Sequence, residues 1–381
     1  MIYFDNGATS FPKPERVLRA MQETVRQNGA NPGRSGHKMS IDAAVKVYEV
    51  REAAADLFGA EQVEDVIFTS NCTHAINFAL KGALNRGDHV IISDLDHNAV
   101  LRPVHTLAQR GIITYSVAQT GSTAEETVKA FRRLIRPNTK MIACTHGSNV
   151  FGIQLPIKEI GLLAQEQDVL FLVDAAQTAG MVDIDMQDCH IDFLCTAGHK
   201  SLYGPSGTGL LITPLGNALD TLFEGGTGTL SADYNQPVGM PERLESGTLN
   251  MAGIMGLGAG LAYVKEKGIN KIYEHGMKVG GELYRGLAGI SGVTLYTSSL
   301  EAGKHLPVIS FNIEGLSSEE ATAQLSDKGF ALRGGLHCAP LAHKKMGTLQ
   351  SGTARASIGA FNTVLQAEQL CNAVKKLAKG V

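Results

Sequence analysis

No stretch of this sequence approaches the about 20 consecutive apolar residues that a bilayer-spanning helix requires. The opening residues, Met1-Ile-Tyr-Phe-Asp5, have neither a basic lead nor a cleavable apolar segment, so a cytoplasmic protein is expected. An excess of charge of one sign is missing too. The net charge is −3, which argues against nucleic acid or a membrane surface as the main partner. The six cysteines, at 72, 144, 189, 195, 338 and 371, include no Cys-x-x-Cys pair. Neither a zinc site nor a redox dithiol is therefore expected, and no metal is assigned; in a reducing compartment the cysteines stay free thiols. Internal repeats, low-complexity tracts and long linkers are also lacking. What remains is an ordinary globular composition, 44% hydrophobic and 19% charged over 381 residues. That is too long for one simple core and suits two domains in close contact.

Apolar runs at 65–69, 89–93, 113–117, 140–146, 169–174 and 192–196 alternate with helical stretches. Their spacing of roughly two dozen residues fits strand, crossover helix, strand. An α/β fold is expected, with a mostly parallel sheet and helices on both faces. Ser122-Thr-Ala-Glu125 reads as a capping box that opens a helix running to Ile135. Ile41 to Phe58 has helical apolar periodicity. The run 208–213 follows Lys200 too closely for a crossover helix, so it should pair antiparallel. Past about residue 250 the rhythm changes, to helices at 252–266 and 270–290, strands at 293–297, 306–313 and 329–333, a helix capped by Ser317, and a last helix from about Asn362 to Lys379. The expected division is a large domain, 15–250, and a smaller α/β domain, 251–381, onto which residues 1–14 fold.

Lys200 stands in Thr196-Ala-Gly-His-Lys-Ser-Leu-Tyr-Gly-Pro205, just past an apolar run. A lysine held at a strand end inside a fold can lose its proton and form an imine with a carbonyl, the bond that holds pyridoxal phosphate. Val169-Leu-Phe-Leu-Val173 ends in Asp174, and a carboxylate there can pair with a protonated pyridine nitrogen. Either residue alone reads as a turn lysine or a capping aspartate; together, each ending a strand, they point to the cofactor. Thr69-Ser-Asn-Cys72-Thr73-His-Ala-Ile-Asn77 follows a strand and opens a helix, so its amides and the Thr73 hydroxyl suit a phosphate. His97, just past the run 89–93, either caps the next helix or stacks on a ring and moves protons. Asn149 and Gln177 are loop amides within reach of a ring oxygen if the cofactor is there. Arg333-Gly-Gly-Leu-His-Cys338 joins glycines that permit close approach to a cysteine whose thiolate Arg333 and His337 would favour. A cysteine with a neighbouring histidine is a nucleophile signature. Arg355 suits a substrate carboxylate or a surface ion pair.

Taken together these segments resemble the class V aminotransferase family of fold-type I pyridoxal-phosphate enzymes. Within it they are similar to the group II cysteine desulfurases and selenocysteine lyases. The resemblance runs from Tyr3-Phe-Asp-Asn-Gly-Ala-Thr9 and Asn31-Pro-Gly-Arg-Ser-Gly-His37 through Asp174-Ala-Ala-Gln177 and Gly198-His-Lys200 to Glu245-Ser-Gly-Thr248-Leu-Asn250 and Ala354-Arg-Ala-Ser357. It implies that Lys200 bonds the cofactor and Asp174 pairs its ring nitrogen. His97 stacks on the ring, Gln177 and Asn149 contact its oxygen or the substrate, and Thr73 and His199 hold the phosphate side. Thr248 reaches the phosphate of a neighbouring subunit, which implies a homodimer. Arg355 takes the substrate carboxylate. Cys338 attacks the substrate sulfur and carries it as a persulfide, which a thiol or an acceptor protein then discharges. The substrate implied is L-cysteine or L-selenocysteine, and the alternatives to a desulfurase are a selenocysteine lyase, a C–S lyase or a sulfur-relay component active only with a partner. Two positions depart from the family: Ala197 stands where a serine is common, and Leu336 where group II enzymes often carry histidine.

Overall fold

The computed structural model describes residues 1–27, 29–33, 36–297 and 299–380. Arg34 and Ser35 of the 31–37 motif lie outside the described residues. A short strand β1 (Ile2–Tyr3) and two helices, α1 (Glu15–Gln27) and α2 (Lys38–Phe58), precede the main sheet. The strands and crossover helices then alternate: β2 (Val66–Thr69), α3 (Cys72–Ala83), β3 (His89–Ser93), α4 (Asn98–Gln109), β4 (Thr114–Ala118), α5 (Ala124–Arg132), β5 (Thr139–Thr145), α6 (Ile157–Glu166), β6 (Leu170–Asp174), β7 (Phe193–Ala197) and β8 (Gly209–Ile212). The sheet order is β2-β8-β7-β6-β5-β3-β4, with β8 antiparallel to both neighbours and the other pairings parallel. Continuous apolar runs in β3 and β7 follow from burial on both faces. Val90 and Ile92 pack against α3 and α4, while Ile91 packs on the opposite face with α2, α5 and α6.

The chain continues through α7 (Met251–Lys267), α8 (Ile269–Ala288), β9 (Val293–Leu295), β10 (Val308–Ile313), α9 (Ser318–Asp327), β11 (Phe330–Ala331), α10 (Pro340–Lys345), β12 (Ala354–Ser357) and α11 (Val364–Ala378). A three-stranded antiparallel sheet, β12-β10-β9, packs its apolar residues with α8, α9 and α11. β1 adds in parallel to β11, and Phe4 is fully buried in that second core. Met251, Ile254, Leu257 and Leu261 of α7 belong instead to the core of the large sheet. No described helix is long and apolar enough to cross a membrane.

Two elements differ from the sequence reading. The box at α5 is Thr123 with Glu126, one residue later than expected; Ser122 instead donates its hydroxyl and amide to the Glu126 carboxylate, both at 2.8 Å. β12 carries no strand signal, because its small residues surround a charge. Pairing with β10 forms it and buries Arg355.

Candidate active site

Five strand ends meet at one cavity of about 170 Å³. It is reached by Asn71, Cys72 and Thr73 after β2, His97 after β3, Asn149 after β5, Asp174 and Gln177 at the end of β6, and His199 and Lys200 after β7. Ligands gather at the carboxyl ends of strands in such sheets. Asn71 caps α3 by accepting from the His74 amide at 2.9 Å. The amides of Cys72 and Thr73 have no protein acceptor among the described residues, so the first turn of α3 is a donor pair for an anion.

Asp174 is 3% exposed. Its Oδ1 accepts from the Ala176 amide at 2.9 Å and from the Cys72 thiol at 3.3 Å. Oδ2 has no protein partner among the described residues. Desolvation pushes the Lys200 ammonium below the usual lysine range, and the Asp174 charge pulls it back. His97 takes the first of the two roles its sequence position allows, the cap. Its Nδ1 accepts from the Ala99 amide at 3.0 Å and caps α4, while the ring lines the cavity. Burial holds His97 and His199 neutral, each lowered to about 4. The Nδ1 of His199 and the Oδ1 of Asn149 are buried with no partner, two orphaned polar atoms at one cavity. Such atoms cost free energy unless something hydrogen-bonds them.

The cysteine loop is fastened to this cavity's walls. Asn149 Nδ2 donates to the His337 carbonyl at 2.7 Å, and the Asn98 amide donates to the Cys338 carbonyl at 2.7 Å. His337 and Cys338 both have left-handed backbones, with φ of 50° and 57°. Each costs on the order of 1 kcal/mol for a non-glycine residue, and the two bonds hold them there. Cys338 is exposed. Its thiol lines an adjoining groove that shares Thr73, His97 and Ala99 with the inner cavity. His337 does not supply the charge expected of it: burial, reinforced by Arg355, lowers it to about 3, and its ring lies against His343 at 5.8 Å. Arg333 is exposed, and its backbone bridges to Arg355.

Arg355 is buried rather than on the surface, at 1% exposure. Its guanidinium bonds Asp5 at 2.5 Å and the Asn149 carbonyl at 2.7 Å, and its Nε has no acceptor. Gln177 Nε2 donates to the Gly7 carbonyl at 3.0 Å. Thr248 is exposed on the 245–250 segment and does not reach the cavity of its own chain. A buried bidentate pair, Arg51 with Glu245 at 2.8 and 2.9 Å, anchors that segment. Ala197 lines the cavity without a hydroxyl.

Three contributions were not foreseen. Asp96 is fully buried and takes the amides of Ser93 at 2.7 Å and Thr145 at 2.6 Å, tying the ends of β3 and β5 beside His97. Desolvation pushes its carboxyl up to about 8, against those two bonds. The N-terminal segment grips the lysine turn, with Ser10 Oγ on the Lys200 carbonyl at 2.8 Å and Lys13 Nζ on the His199 carbonyl at 2.6 Å. Asp5 meets Arg355 across 350 residues. Asp96 alone had a sequence signal, as a carboxylate next to a candidate histidine.

The profile of the aminotransferase class-V family matches residues 2–370. A protein of Methanothermobacter thermautotrophicus named "Probable cysteine desulfurase" is 32% identical over 99% of this chain and 94% of its own. One of the same name from Pyrococcus abyssi is 30% identical over 100% and 95%. Among solved structures, the apo cysteine desulfurase of Thermococcus onnurineus superposes with a TM-score of 0.90 at 32% identity, covering 100% of this chain and 95% of that one. The cysteine desulfurase CsdA of Escherichia coli superposes at 0.89 with 27% identity, covering the same shares.

Proposed function

The chain belongs to the aminotransferase class-V family, and from that premise we propose that it is a pyridoxal-phosphate-dependent cysteine desulfurase. It converts L-cysteine to L-alanine and takes the sulfur onto Cys338. One observation carries the reading: the loop bearing Cys338 is bolted by consecutive carbonyls to the two loops that bring His97 and Asn149 to the Lys200–Asp174 cavity. The nucleophile and the amine are thereby built as one unit.

The donor set fits the cofactor. The free amides of α3, Thr73 and the orphaned His199 Nδ1 suit a phosphate; Asp174 Oδ2 suits a ring nitrogen, the orphaned Asn149 Oδ1 or Gln177 a ring or substrate group, and the His97 ring a stacked face. When bound, pyridoxal phosphate supplies a carbonyl that captures the substrate amine and a ring that takes up electrons from its α-carbon. Lys200, its ammonium weakened by desolvation, holds and returns the α-proton at Nζ. Arg355 offers Nε to the substrate carboxylate while Asp5 and the Asn149 carbonyl hold the rest of the guanidinium in place. The Cys338 thiolate then attacks the substrate sulfur. An Sγ–S bond forms as the C–S bond breaks, carbon keeps the bonding pair and takes a proton, and Cys338 carries a persulfide. Thr248, exposed on its own chain, serves the phosphate of a second copy in a homodimer. All six cysteines are free thiols, which suits a cytoplasmic setting. No observation favours a selenocysteine lyase or a C–S lyase over this reading.

The test is direct. After exposure to L-cysteine, mass spectrometry should find added sulfur on Cys338 and on none of the other five cysteines. Cys338→Ala should nearly abolish alanine formation yet keep a cofactor that borohydride fixes to Lys200. Lys200→Ala should lose that fixation and turnover together. Undiminished alanine formation by Cys338→Ala would move the chemistry to another residue.

A further inference from the structure

We propose that the groove between α3 and α4 is a binding site for a small carboxylate-bearing thiol, which discharges the sulfur from Cys338. The proposal rests on the desulfurase reading and adds the acceptor's chemical class and its seat. The groove has a volume of about 340 Å³, and Cys338 is part of its lining. That volume lies at the low end of small-molecule sites, and the groove adjoins the inner cavity that suits the cofactor, with Thr73, His97 and Ala99 in both linings. Lys81 lines it from the last turn of α3, and Arg102 from α4. Both are exposed, and among the described residues neither makes an ion pair. Some exposed cations elsewhere do, such as Lys129 with Glu125, Arg132 with Glu166 and Lys158 with Asp188. Lys345 is held by Asp94 at 2.9 Å. No carboxylate is among the described residues lining the groove, whereas Asn77 and Thr106 add neutral polar groups. The result is a concave surface with two uncompensated positive charges and the sulfur-bearing residue in its lining. Such a field concentrates anions and speeds their capture.

The chemistry that follows is thiol exchange, and it needs no outside oxidant. The acceptor's thiolate attacks the outer sulfur of the Cys338 persulfide. The Sγ–S bond breaks as the new S–S bond forms, the acceptor leaves as its own persulfide with the proton, and the Cys338 thiolate is restored. Lys81 and Arg102 bind the acceptor's carboxylates and hold its sulfur against Cys338.

The holoenzyme should be loaded with one equivalent of L-cysteine, desalted, and mixed with mercaptosuccinate, which is anionic, or 2-mercaptoethanol, which is neutral. Loss of the added sulfur from Cys338 is followed by mass spectrometry. Comparing wild type with the double variant Lys81→Gln/Arg102→Gln for each thiol cancels that thiol's own reactivity. Discharge by mercaptosuccinate should slow about tenfold in the variant, the low end of what a one-sided field does for a charged ligand. Discharge by 2-mercaptoethanol and the alanine formed during loading should not change. In wild type, added salt should slow mercaptosuccinate relative to 2-mercaptoethanol, a readout that needs no variant. Discharge blind to the charge of the thiol would overturn the groove alone. A drop in alanine formation during loading would make it a substrate entrance instead, which also overturns the proposal. A wild type that never carries sulfur on Cys338 would sink the desulfurase reading itself.

Discussion

His146 sits at the carboxyl end of β5 with its Nδ1 unpartnered, and desolvation lowers it from 6.5 to about 4. Its folded value is depressed, so the unfolded chain binds more protons between those two pH values. The stability it contributes is full above pH 6.5 and is lost as pH falls through about 4. The window is worth on the order of 3 kcal/mol at most. Asp96 has the opposite sign, since a carboxyl raised to about 8 favours the folded state as pH falls. The clean measurement is therefore a difference. Urea midpoints of wild type and His146→Gln, taken from pH 7 to pH 4, should show a steeper acid loss in wild type. Parallel curves would mean that His146 is protonated in the fold. None of this was legible in the sequence, where residue 146 only closes the apolar run 140–146. Burial is what makes it titrate abnormally.

At the scale of elements, α7 decides how closely the lysine turn can pack. A Cβ on Gly260 would stand 2.2 Å from the Leu202 carbonyl and 2.9 Å from the Gly204 amide. One on Gly256 would stand 3.0 Å from Pro205. The helix thus touches backbone of the 198–205 turn, which only a residue without a side chain permits. Gly260→Ala is expected to destabilise by about 1–3 kcal/mol, the usual overpacking range. It should also weaken cofactor retention, because the turn that shifts carries Lys200. A lower urea midpoint with unchanged cofactor content would separate packing from the site. The helical periodicity of α7 was visible in the sequence, but the glycine face was not, since its meaning depends on what lies against it. The same holds for β12, whose strand character comes from β10.

For the whole molecule, several exposed apolar residues fall on two segments. Met39, Ile41, Val45 and Tyr48 are 49–55% exposed along α2, and Phe223, Tyr234 and Val238 are more so. Tyr48 and residues between 227 and 247 line one shared cavity, beside the segment that carries Thr248. Large exposed apolar patches mark interfaces. Sedimentation should find a dimer, and Ile41→Glu/Val45→Glu should dissociate it and lower cofactor affinity through loss of the partner's Thr248. A monomer that retains full cofactor would refute the arrangement.

By itself the sequence determined the sheet and singled out the lysine, the aspartate and the cysteine as candidates. Strand period, flanking turns and the chemistry of Lys200, Asp174 and Cys338 are local properties, written within a few residues of each. It left His97 open between capping and stacking, and the fold shows the cap through Nδ1 with the residue on the cavity wall. Tertiary structure decided what no local window contains. Asp5 reaches Arg355 across 350 residues, and Asn149 reaches the His337 carbonyl across 188. It also decided which groups keep a charge: desolvation neutralised His337, which the sequence had counted as a cation, and left Lys81 and Arg102 exposed without a counterion. Charge state follows burial and neighbours, and both are properties of the packed chain.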